Sequence, residues 1–225
     1  MEQSFSVGII MDGNRRFAKA KGLAVIEGHV SGYRKLRELV IWAKEAGVTH
    51  LTVYAFSTEN WKRTHDEIEL LMALFERAIS KMTERSKRES VRMRFIGDRD
   101  VLSPQLRSIM EKAESETKEA NAITLTIALS YGGRDELLRA LRRLPKDSLA
   151  TLSEAAFSGY LDTREVPDPD LIIRTGGEQR LSNFLPWQSI YSELYFTETL
   201  WPNFMKEEFV GALAWYKERQ RRRGA

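Results

Sequence analysis

Short apolar runs alternate along the chain with longer stretches in which apolar residues recur every three or four positions. Residues 5–11 form an apolar run that is followed by the turn-forming sequence DGN, which is typical of a buried strand. Over residues 29–46 the apolar side chains return at helical spacing, and Gly47 follows as the expected end of a helix. The pattern therefore predicts a strand and then a helix that crosses over to the next strand.

This alternation continues to the end of the chain. Further strands are predicted over residues 51–56, 91–96, 123–129, 171–173 and 194–196, and further helices over residues 66–88, 135–144 and 204–219, with one more beginning at Pro104. Strands that alternate with helices favour a single α/β domain over residues 1–225, with a mainly parallel sheet of about six strands flanked by helices. Ligands of such sheets bind beyond the carboxyl ends of the strands, so the functional residues are expected in the segments that follow them.

Composition restricts the class of protein. The 225 residues include no cysteine, which excludes a disulfide framework and a thiolate metal site. The formal net charge is +3 and the pI is about 9.1, which permits an anionic ligand on one face. No window approaches the ~20 apolar residues of a membrane span, and the first residues lack a signal-peptide pattern. We therefore expect a cytoplasmic protein whose contact with a membrane would be peripheral.

The segment after the first predicted strand, residues 11–16 (MDGNRR), combines a carboxylate, a flexible glycine and two guanidinium groups. Asp12 can hold Mg²⁺ through oxygen, Gly13 lets the backbone approach a ligand, and Arg16 can donate to phosphate oxygens. A helix that begins here would add partial positive charge. Taken alone, the segment is better explained as an ordinary turn with solvated arginines. It indicates a metal-bound diphosphate only together with the segments below.

Two later segments carry the same chemistry. Residues 57–63 (STENWKR) follow the second predicted strand and combine hydrogen-bonding groups, an aromatic ring and two cations. In residues 174–183 (RTGGEQRLSN), paired glycines allow close backbone approach, and Arg174, Arg180 and Ser182 could enclose a second diphosphate. Taken alone, residues 57–63 could equally be an ordinary polar loop. Taken alone, residues 174–183 could be a Gly-Gly turn with surface arginines.

Two single residues are weaker candidates. His29 stands near the start of a predicted helix and could donate to phosphate, although a lone histidine is more often structural. Glu193 is a carboxylate in an aromatic stretch beside the last predicted strand, where core packing explains the aromatic residues. In this stretch only the carboxylate of Glu193 suggests a function, and we consider it as a metal ligand.

Several familiar reaction motifs are absent from the sequence. It contains no Walker A pattern, no GxGxxG fingerprint, no HExxH and no GxSxG. Nucleotide hydrolysis, dehydrogenation and esterase activity therefore lose support. The DDxxD motif expected of trans-type prenyl synthases is absent as well.

Six segments, taken together and in order, resemble the cis-prenyltransferases of the undecaprenyl diphosphate synthase type. They are residues 11–16, 28–29 (GH), 55–61 (AFSTENW), 131–134 (YGGR), 170–183 and 193–202. Each segment alone is a modest match, but their joint order and spacing are very specific and span nearly the whole chain. The resemblance implies a homodimer, a parallel sheet arranged differently from a Rossmann fold, and an apolar tunnel for the growing product.

The resemblance also implies an activity. It is the Mg²⁺-dependent cis-condensation of isopentenyl diphosphate with an allylic diphosphate, expected to be farnesyl diphosphate, to give a medium-chain product such as undecaprenyl diphosphate. A short-chain or irregular prenyl diphosphate synthase is the first alternative, because a family does not fix the number of additions. A non-catalytic partner subunit is the second, although such partners usually lose residues equivalent to Asp12 and Arg16.

Residue roles follow from the resemblance by position. Asp12 is expected to hold Mg²⁺ and to be essential for catalysis, with Glu193 as a second metal ligand supplied by the partner subunit. Contacts to the allylic diphosphate are expected from Gly13, Asn14, Arg16 and His29, and contacts to isopentenyl diphosphate from Arg174, Arg180 and Ser182. The expected substrate-binding set also contains Arg15, Phe17, Thr58 and Leu181.

A flexible loop of the family corresponds to residues 57–63. Its expected substrate-binding residues are Ser57, Glu59, Trp61 and Arg63, and Asn60 matches a residue proposed to help remove the proton. A neutral amide is a poor base, so we expect Asn60 to position the substrate while an oxygen of released diphosphate, or another oxygen, accepts the proton.

The chain departs from the family at one phosphate contact. Val25 stands where an arginine is common, four residues before His29, and we hypothesise that Arg15 compensates. Ala55 is small where short-chain members carry bulk, which favours more than one or two additions. Basic residues 219–223 (RQRRR) could touch an anionic membrane surface when product leaves, and we expect no nucleic-acid partner.

Overall fold

The computed structural model describes residues 4–219, without the side chains of residues 146, 148 and 150. The strands are β1 (Ser6–Ile10), β2 (His50–Ser57), β3 (Val91–Ile96), β4 (Ile123–Tyr131), β5 (Leu171–Arg174) and β6 (Glu193–Phe196). The α-helices are α1 (Asn14–Ala20), α2 (Val25–Glu45), α3 (His65–Glu89), α4 (Pro104–Thr117), α5 (Gly133–Arg143), α6 (Glu154–Ser158) and α7 (Lys206–Glu218). Short 3₁₀ segments occupy Thr58–Lys62, Lys146–Thr151 and Trp201–Asn203.

The six strands form one sheet in the order β3-β4-β2-β1-β5-β6, and every neighbouring pair is parallel. This order differs from the 3-2-1-4-5-6 order of a Rossmann fold because β4 lies between β3 and β2. The prediction of an α/β domain with a six-stranded parallel sheet, distinct from a Rossmann fold, is therefore confirmed.

Both faces of the sheet are covered, as expected of parallel strands. One face is the main core, where residues such as Val53, Leu125 and Ile173 pack against apolar side chains of α2, α3, α4 and α7. The other face packs against Phe184 and Leu185, which lie between β5 and β6. No helix of residues 4–219 is long and apolar enough to cross a membrane.

Two glycines of α2 let α1 lie directly against it. A Cβ at Gly28 would come 2.2 Å from the carbonyl oxygen of Asn14, and one at Gly32 would come 2.2 Å from Asn14 Oδ1. Trp201 is fully buried beside Gly32 and donates from Nε1 to its carbonyl oxygen at 2.9 Å. Because Gly28 and Gly32 carry no side chain, α2 leaves room for the backbone and the side chain of Asn14.

Several predicted elements differ from the observed ones. Helix α2 begins at Val25 rather than at residue 29, because the Glu27 carboxylate accepts the Ala24 N–H at 2.9 Å and caps an earlier turn. The closing helix begins at Lys206 rather than at residue 204, and residues 57–63 contain a 3₁₀ turn rather than a plain loop. Helix α6 was not predicted because five residues show too little periodicity.

Candidate active site

A cavity of about 830 Å³ lies at the carboxyl ends of the central strands β1, β2 and β5, and we call it the main cleft. Most of the predicted site residues line it. They are Asp12, Gly13, Asn14, Arg15, Arg16, His29, Ser57, Glu59, Asn60, Arg63, Arg174 and Ser182. Segments that are distant in sequence therefore meet here because parallel strands end at the same edge of the sheet.

Asp12 lies between two guanidinium groups. Its Oδ2 is 3.0 Å from Arg174 Nη2, and its Oδ1 is 3.2 Å from Arg16 Nη2. The Arg174 side chain is only 5% exposed, and it also donates to Ser182 Oγ at 2.8 Å and to the Arg180 carbonyl oxygen. The Arg174 Nε has no partner among the described residues. The three groups give one carboxylate and two cations at the mouth of a single ligand site.

Two glycines shape the backbone around Asp12. Gly13 has φ of 116°, and a Cβ there would come within 2.9 Å of the Leu200 backbone. Gly176 has φ of +87°, and a Cβ there would lie 2.6 Å from Arg16 Nη2. Both positions require glycine, because other residues rarely adopt positive φ and a side chain would meet these neighbours. Gly13 thus lets the segment after β1 approach Leu200, and Gly176 lets the segment after β5 approach Asp12 and Arg16.

His29 is partly buried where the main cleft reaches α2, and its Nε2 atom is fully buried. Its Nε2 has no hydrogen-bond partner among the described residues, and the same is true of Asn14 Oδ1. Burial is the main reason that the pKa of His29 is lowered from 6.5 to about 4, and the nearby charges of Arg63 and Arg15 lower it further. The imidazole is therefore neutral at neutral pH, and in the tautomer that carries a proton on Nε2 it can donate to an anionic ligand.

The lowered pKa of His29 predicts a specific acid sensitivity. Unfolded His29 takes up a proton near pH 6.5 but folded His29 only near pH 4, so the free energy of unfolding falls as the pH falls through this window. At 1.36 kcal/mol per pKa unit, the loss is about 2 to 3 kcal/mol between pH 7 and pH 4.5. Urea unfolding at both pH values should show that His29→Gln removes this loss.

The matched control is His65→Gln, because the His65 side chain is 82% exposed at the start of α3. It should lose as much stability on acidification as the unmodified chain. An equal loss in His29→Gln and the unmodified chain would show that His29 does not carry the effect.

The segment over residues 57–63 is held by its own polar groups. The Ser57 N–H donates to Asn60 Oδ1 at 3.1 Å, and Arg63 Nη1 donates to Glu67 Oε1 at 3.0 Å. Trp61 Nε1 donates to Ser130 Oγ at 2.9 Å. The amide oxygen of Asn60 accepts this hydrogen bond, and none of the described residues accepts a hydrogen bond from its NH₂ group, which can therefore donate to a ligand.

Five residues of the expected substrate-binding set do not line the main cleft. Phe17 is buried on the inner face of α1, Trp61 packs edge-on against Phe56 at 5.1 Å, and Leu181 packs against the second face of the sheet. Thr58 lies beside Gly132. Arg180 directs its guanidinium group to Glu178 and is 61% exposed. Their contacts with substrate stay predictions.

Glu193 is not brought to Asp12 within one chain. It is the first residue of β6 and pairs in register with Leu171, whereas Asp12 follows the carboxyl end of β1. Its Oε2 is 3.1 Å from Arg219 Nε. No group of three or more histidine and acidic residues within residues 4–219 could hold a metal ion. A Glu193 ligand supplied by a partner subunit stays a prediction.

Two polar residues that line the main cleft were missed by the sequence reasoning. Tyr54 lies in the main cleft and donates from its hydroxyl to the Tyr131 carbonyl oxygen at 3.0 Å, and burial raises its pKa well above the usual value. Asn183 donates to Glu59 Oε1 at 3.0 Å and so joins two walls. Asn183 ends the polar segment 174–183, which was a usable signal, whereas Tyr54 looked like any strand residue.

A second, apolar cavity of about 80 Å³ continues from the main cleft between the sheet and helices α2 and α3. Met11, Asn14, His29, Ala55 and Leu71 line both spaces. Its remaining lining is almost entirely apolar and includes Leu36, Leu74, Phe75, Ala78, Met82, Ile127 and Trp201. A cationic cleft beside an apolar cavity fits ligands with an anionic head and an apolar tail, as expected of an enzyme that acts on lipid-like phosphates.

Comparison with known proteins agrees with this class. Residues 10–224 match the family model described as "Putative undecaprenyl diphosphate synthase". The isoprenyl transferase of Thermotoga maritima is 48% identical, over 97% of this chain and 95% of the relative. The ditrans,polycis-undecaprenyl-diphosphate synthase ((2E,6E)-farnesyl-diphosphate specific) of Acinetobacter baylyi is 46% identical, over 97% of this chain and 90% of the relative.

A solved structure shows the same fold. The lavandulyl diphosphate synthase of Lavandula x intermedia, crystallised with dimethylallyl diphosphate, superposes with a TM-score of 0.93 at 33% identity, over 98% of both chains. The chain belongs to the undecaprenyl diphosphate synthase family and is a prenyltransferase. The resemblance drawn from the sequence is confirmed.

Proposed function

We propose that this prenyltransferase extends farnesyl diphosphate by successive cis additions of isopentenyl diphosphate to a medium-chain product such as undecaprenyl diphosphate. The observation that carries the proposal is the continuity of the two cavities at Ala55 and Leu71. An allylic diphosphate bound with its head near Asp12 would direct its tail into the apolar cavity. The buried, unpartnered Nε2 of His29 at the junction supports a phosphate at that point.

The site fits Mg²⁺ bound mainly by substrate. Asp12 offers one carboxylate to the cleft, and Mg²⁺ in such sites is typically held by one or two carboxylates together with phosphate oxygens and water. When bound, Mg²⁺ would neutralise the diphosphate and make it a better leaving group. Asp12 is the ligand from this chain, and Glu193 from a partner subunit is the proposed second ligand.

Two anion subsites account for the remaining polar residues. Arg16, Asn14 and His29 lie on α1 and α2 and are proposed to bind the allylic diphosphate. Arg174 and Ser182 lie at the end of β5 and after it, and they are proposed to bind isopentenyl diphosphate. For Arg180 to join them, its guanidinium group must leave Glu178. Condensation then forms one carbon–carbon bond, expels the allylic diphosphate, and releases one proton from the isopentenyl group.

Asn60 is proposed to position the substrate rather than to remove the proton. Its oxygen accepts the Ser57 N–H, and its NH₂ group is a donor that can bind a phosphate oxygen but cannot accept a proton. An oxygen of the released diphosphate is the stronger proton acceptor in the cleft.

The direct test is incubation of the purified chain with labelled isopentenyl diphosphate, farnesyl diphosphate and Mg²⁺, followed by chromatography of the products. A Mg²⁺-dependent ladder of polyprenyl products that is absent with Asp12→Ala supports the proposal. A single short or branched product made from dimethylallyl diphosphate would instead identify a short-chain or irregular synthase. The likeness to the lavandulyl diphosphate synthase and the small volume of the apolar cavity favour this alternative. No product with any allylic primer would point to a non-catalytic partner subunit.

Ala55→Leu is expected to shorten the product. Ala55 lies where the main cleft meets the apolar cavity, so three additional carbon atoms would narrow the entrance that the growing tail must pass. The product ladder should end several isoprene units earlier, while the first condensation continues. Ala155→Leu, on the exposed face of α6, is the matched control and should leave the ladder unchanged. An unaltered ladder for Ala55→Leu would contradict this account of chain length.

A homodimer through the β6 edge is part of the proposal. Ile190 and Tyr191, which precede this edge strand, are 74% and 72% exposed, and apolar exposure of that extent favours a protein partner. A second copy at this edge could receive Glu193 in its main cleft. Light scattering after gel filtration should give a dimer mass.

A cytoplasmic location, peripheral membrane contact and the absence of a nucleic-acid partner stay expectations. The basic residues 220–223, which were considered for membrane contact, lie outside the described residues.

A further inference from the structure

A second large cavity lies at the β3 edge of the sheet, away from the main cleft. Its volume is about 810 Å³, and we call it the edge cleft. Its walls come from β3, the carboxyl-terminal half of α5 and the segment between α6 and β5. The two clefts share no lining residue. The edge cleft is therefore a space separate from the main cleft.

The edge cleft is strongly cationic. Seven arginines and five carboxylates line it, an excess of two positive charges in a chain whose net charge is +3. Three of the carboxylates are paired with arginines. Asp162 accepts from Arg139 at 2.7 and 3.0 Å and from Arg143 at 3.0 Å, and Glu165 accepts from Arg94. Glu114 is held by two hydrogen bonds from Arg99.

Part of this cleft is a fixed wall rather than a mobile surface. The Asp162 side chain is 10% exposed and the Arg139 side chain 18%. Asp162 Oδ2 also accepts the N–H of Gly97, the residue that follows β3, at 3.1 Å. Burial would raise the pKa of Asp162, but its hydrogen bonds and ion pairs with Arg139 and Arg143 lower the pKa overall. This carboxylate stays ionised and fixes the arginines of α5 against the sheet.

Three arginines of the edge cleft have no partner. Within residues 4–219, the side chains of Arg92, Arg142 and Arg164 make no hydrogen bond or ion pair. Arg92 is on β3 two residues from Arg94, Arg164 is in the segment before β5, and Arg142 is on α5. The free guanidinium groups therefore stand on three walls of one cavity.

The charges of these walls act on neighbouring groups. The pKa of His50 is lowered mainly by burial and then by the charges of Arg92 and Arg94. The pKa of Glu165 is lowered first by its bond to Arg94, and the charges of Arg164 and Arg92 add to that effect. Arg92 and Arg164 thus face the same end of the cavity, and the local potential there is positive.

We propose that the edge cleft is a second anion-binding site for a molecule that carries at least two phosphate groups. Guanidinium groups bind phosphate oxygens in pairs of parallel hydrogen bonds, which suits phosphate better than a simple halide. Arg92 and Arg164 would bind one phosphate and Arg142 the other. A volume of about 810 Å³ is within the usual range for small-molecule sites. The phosphates could belong to a soluble compound or to a lipid headgroup.

The test compares three proteins. In the first variant Arg92, Arg142 and Arg164 are replaced by glutamine. In the matched control Arg34, Arg37 and Arg107 are replaced by glutamine, because these arginines also lack a side-chain partner in the described chain and line neither cleft. Both variants remove three positive charges. Circular dichroism and the melting temperature establish that each is folded.

Inorganic diphosphate is titrated into each protein by calorimetry at 0.15 M salt, and the Michaelis constant for isopentenyl diphosphate is measured in parallel. We expect the edge-cleft variant to lose one class of sites, with at least a tenfold weaker dissociation constant, while that Michaelis constant stays unchanged. The control should keep all sites. Equal losses in both variants, or a loss that accompanies a changed Michaelis constant, would overturn the proposal, because the effect would be general or would belong to the main cleft.

Vesicle flotation distinguishes the two sources of phosphate. Neutral vesicles with and without cardiolipin, a lipid that carries two phosphate groups, are mixed with the same three proteins. If only the edge-cleft variant loses binding to cardiolipin, and its titration with inorganic diphosphate matches the unmodified chain, the ligand is a lipid headgroup. If only its titration changes, the ligand is soluble. If neither measurement separates this variant from the control, the edge cleft binds no phosphate and the proposal fails. None of these outcomes depends on the product that the enzyme makes.

Discussion

Asp12→Asn is expected to lower the turnover of isopentenyl diphosphate by about a thousandfold, an effect at the upper end of those seen when one preorganised charge is removed from a site. The substitution keeps the size of the side chain but removes the negative charge between Arg16 and Arg174. Without that charge the cleft loses the carboxylate that pairs with both arginines and that is the proposed Mg²⁺ ligand. The measurement is the rate at saturating substrates over a range of Mg²⁺ concentrations.

Asp66→Asn is the matched control for this experiment, since Asp66 is exposed in the first turn of α3 and outside the main cleft. Its turnover should equal that of the unmodified chain. A rate for Asp12→Asn within threefold of the unmodified chain would contradict the role given to this carboxylate.

Arg174→Lys is expected to reduce kcat/KM for isopentenyl diphosphate by about a hundredfold. One buried guanidinium group contacts Asp12, Ser182 and the Arg180 carbonyl oxygen together, and a single ammonium group does not reproduce that planar geometry. The loss should fall mainly on the Michaelis constant for isopentenyl diphosphate, because the proposed function of Arg174 is to bind this substrate.

The control for Arg174→Lys is Arg88→Lys on the exposed face of α3, which should change neither constant. If Arg174→Lys instead raised the Michaelis constant for the allylic substrate and left that for isopentenyl diphosphate unchanged, the assignment of the two anion subsites would have to be exchanged.

The strands could be predicted from the sequence because apolar residues dominate each of them, although in β3 they alternate with Arg92 and Arg94. The run over residues 91–96 coincides with β3, while β2 and β4 continue one or two residues beyond the predicted ends. Helix α2 was predicted to begin too late because Gly28 looks like a helix boundary. In the fold Gly28 lies inside the helix, where its missing side chain makes room for Asn14. Tertiary packing decided this position.

The composition of the main cleft could also be predicted, since parallel strands bring their carboxyl ends to one edge. The direction in which each side chain points could not be predicted from the sequence. Phe17 and Trp61 follow the same strand ends as Asp12 and Asn60 but pack into the core. Glu193 begins β6 and therefore lies at the amino end of the sheet, opposite the cleft of its own chain, and its role as a ligand supplied by a partner subunit stays a prediction.

The edge cleft was not visible in the sequence at all. Its three unpartnered arginines come from a strand, a helix and an irregular segment separated by up to 72 positions of the chain, so no local motif unites them. Arginine content is informative only once the fold shows which guanidinium groups already have a carboxylate partner.

The contact between α1 and α2 has a mechanical consequence for chain growth. Asn14 on α1 and His29 on α2 line both the main cleft and the apolar cavity. At Gly28 and Gly32 no side chain separates the two helices, so α1 and α2 are in direct contact there. A cavity of about 80 Å³ is smaller than the 150 Å³ void that holds a benzene ring, so a long tail must push its walls apart. If the growing prenyl tail displaced α2, the displacement would also move Asn14 and His29, which are proposed to bind the diphosphate. The enzyme would in this way sense the length of its product at the diphosphate.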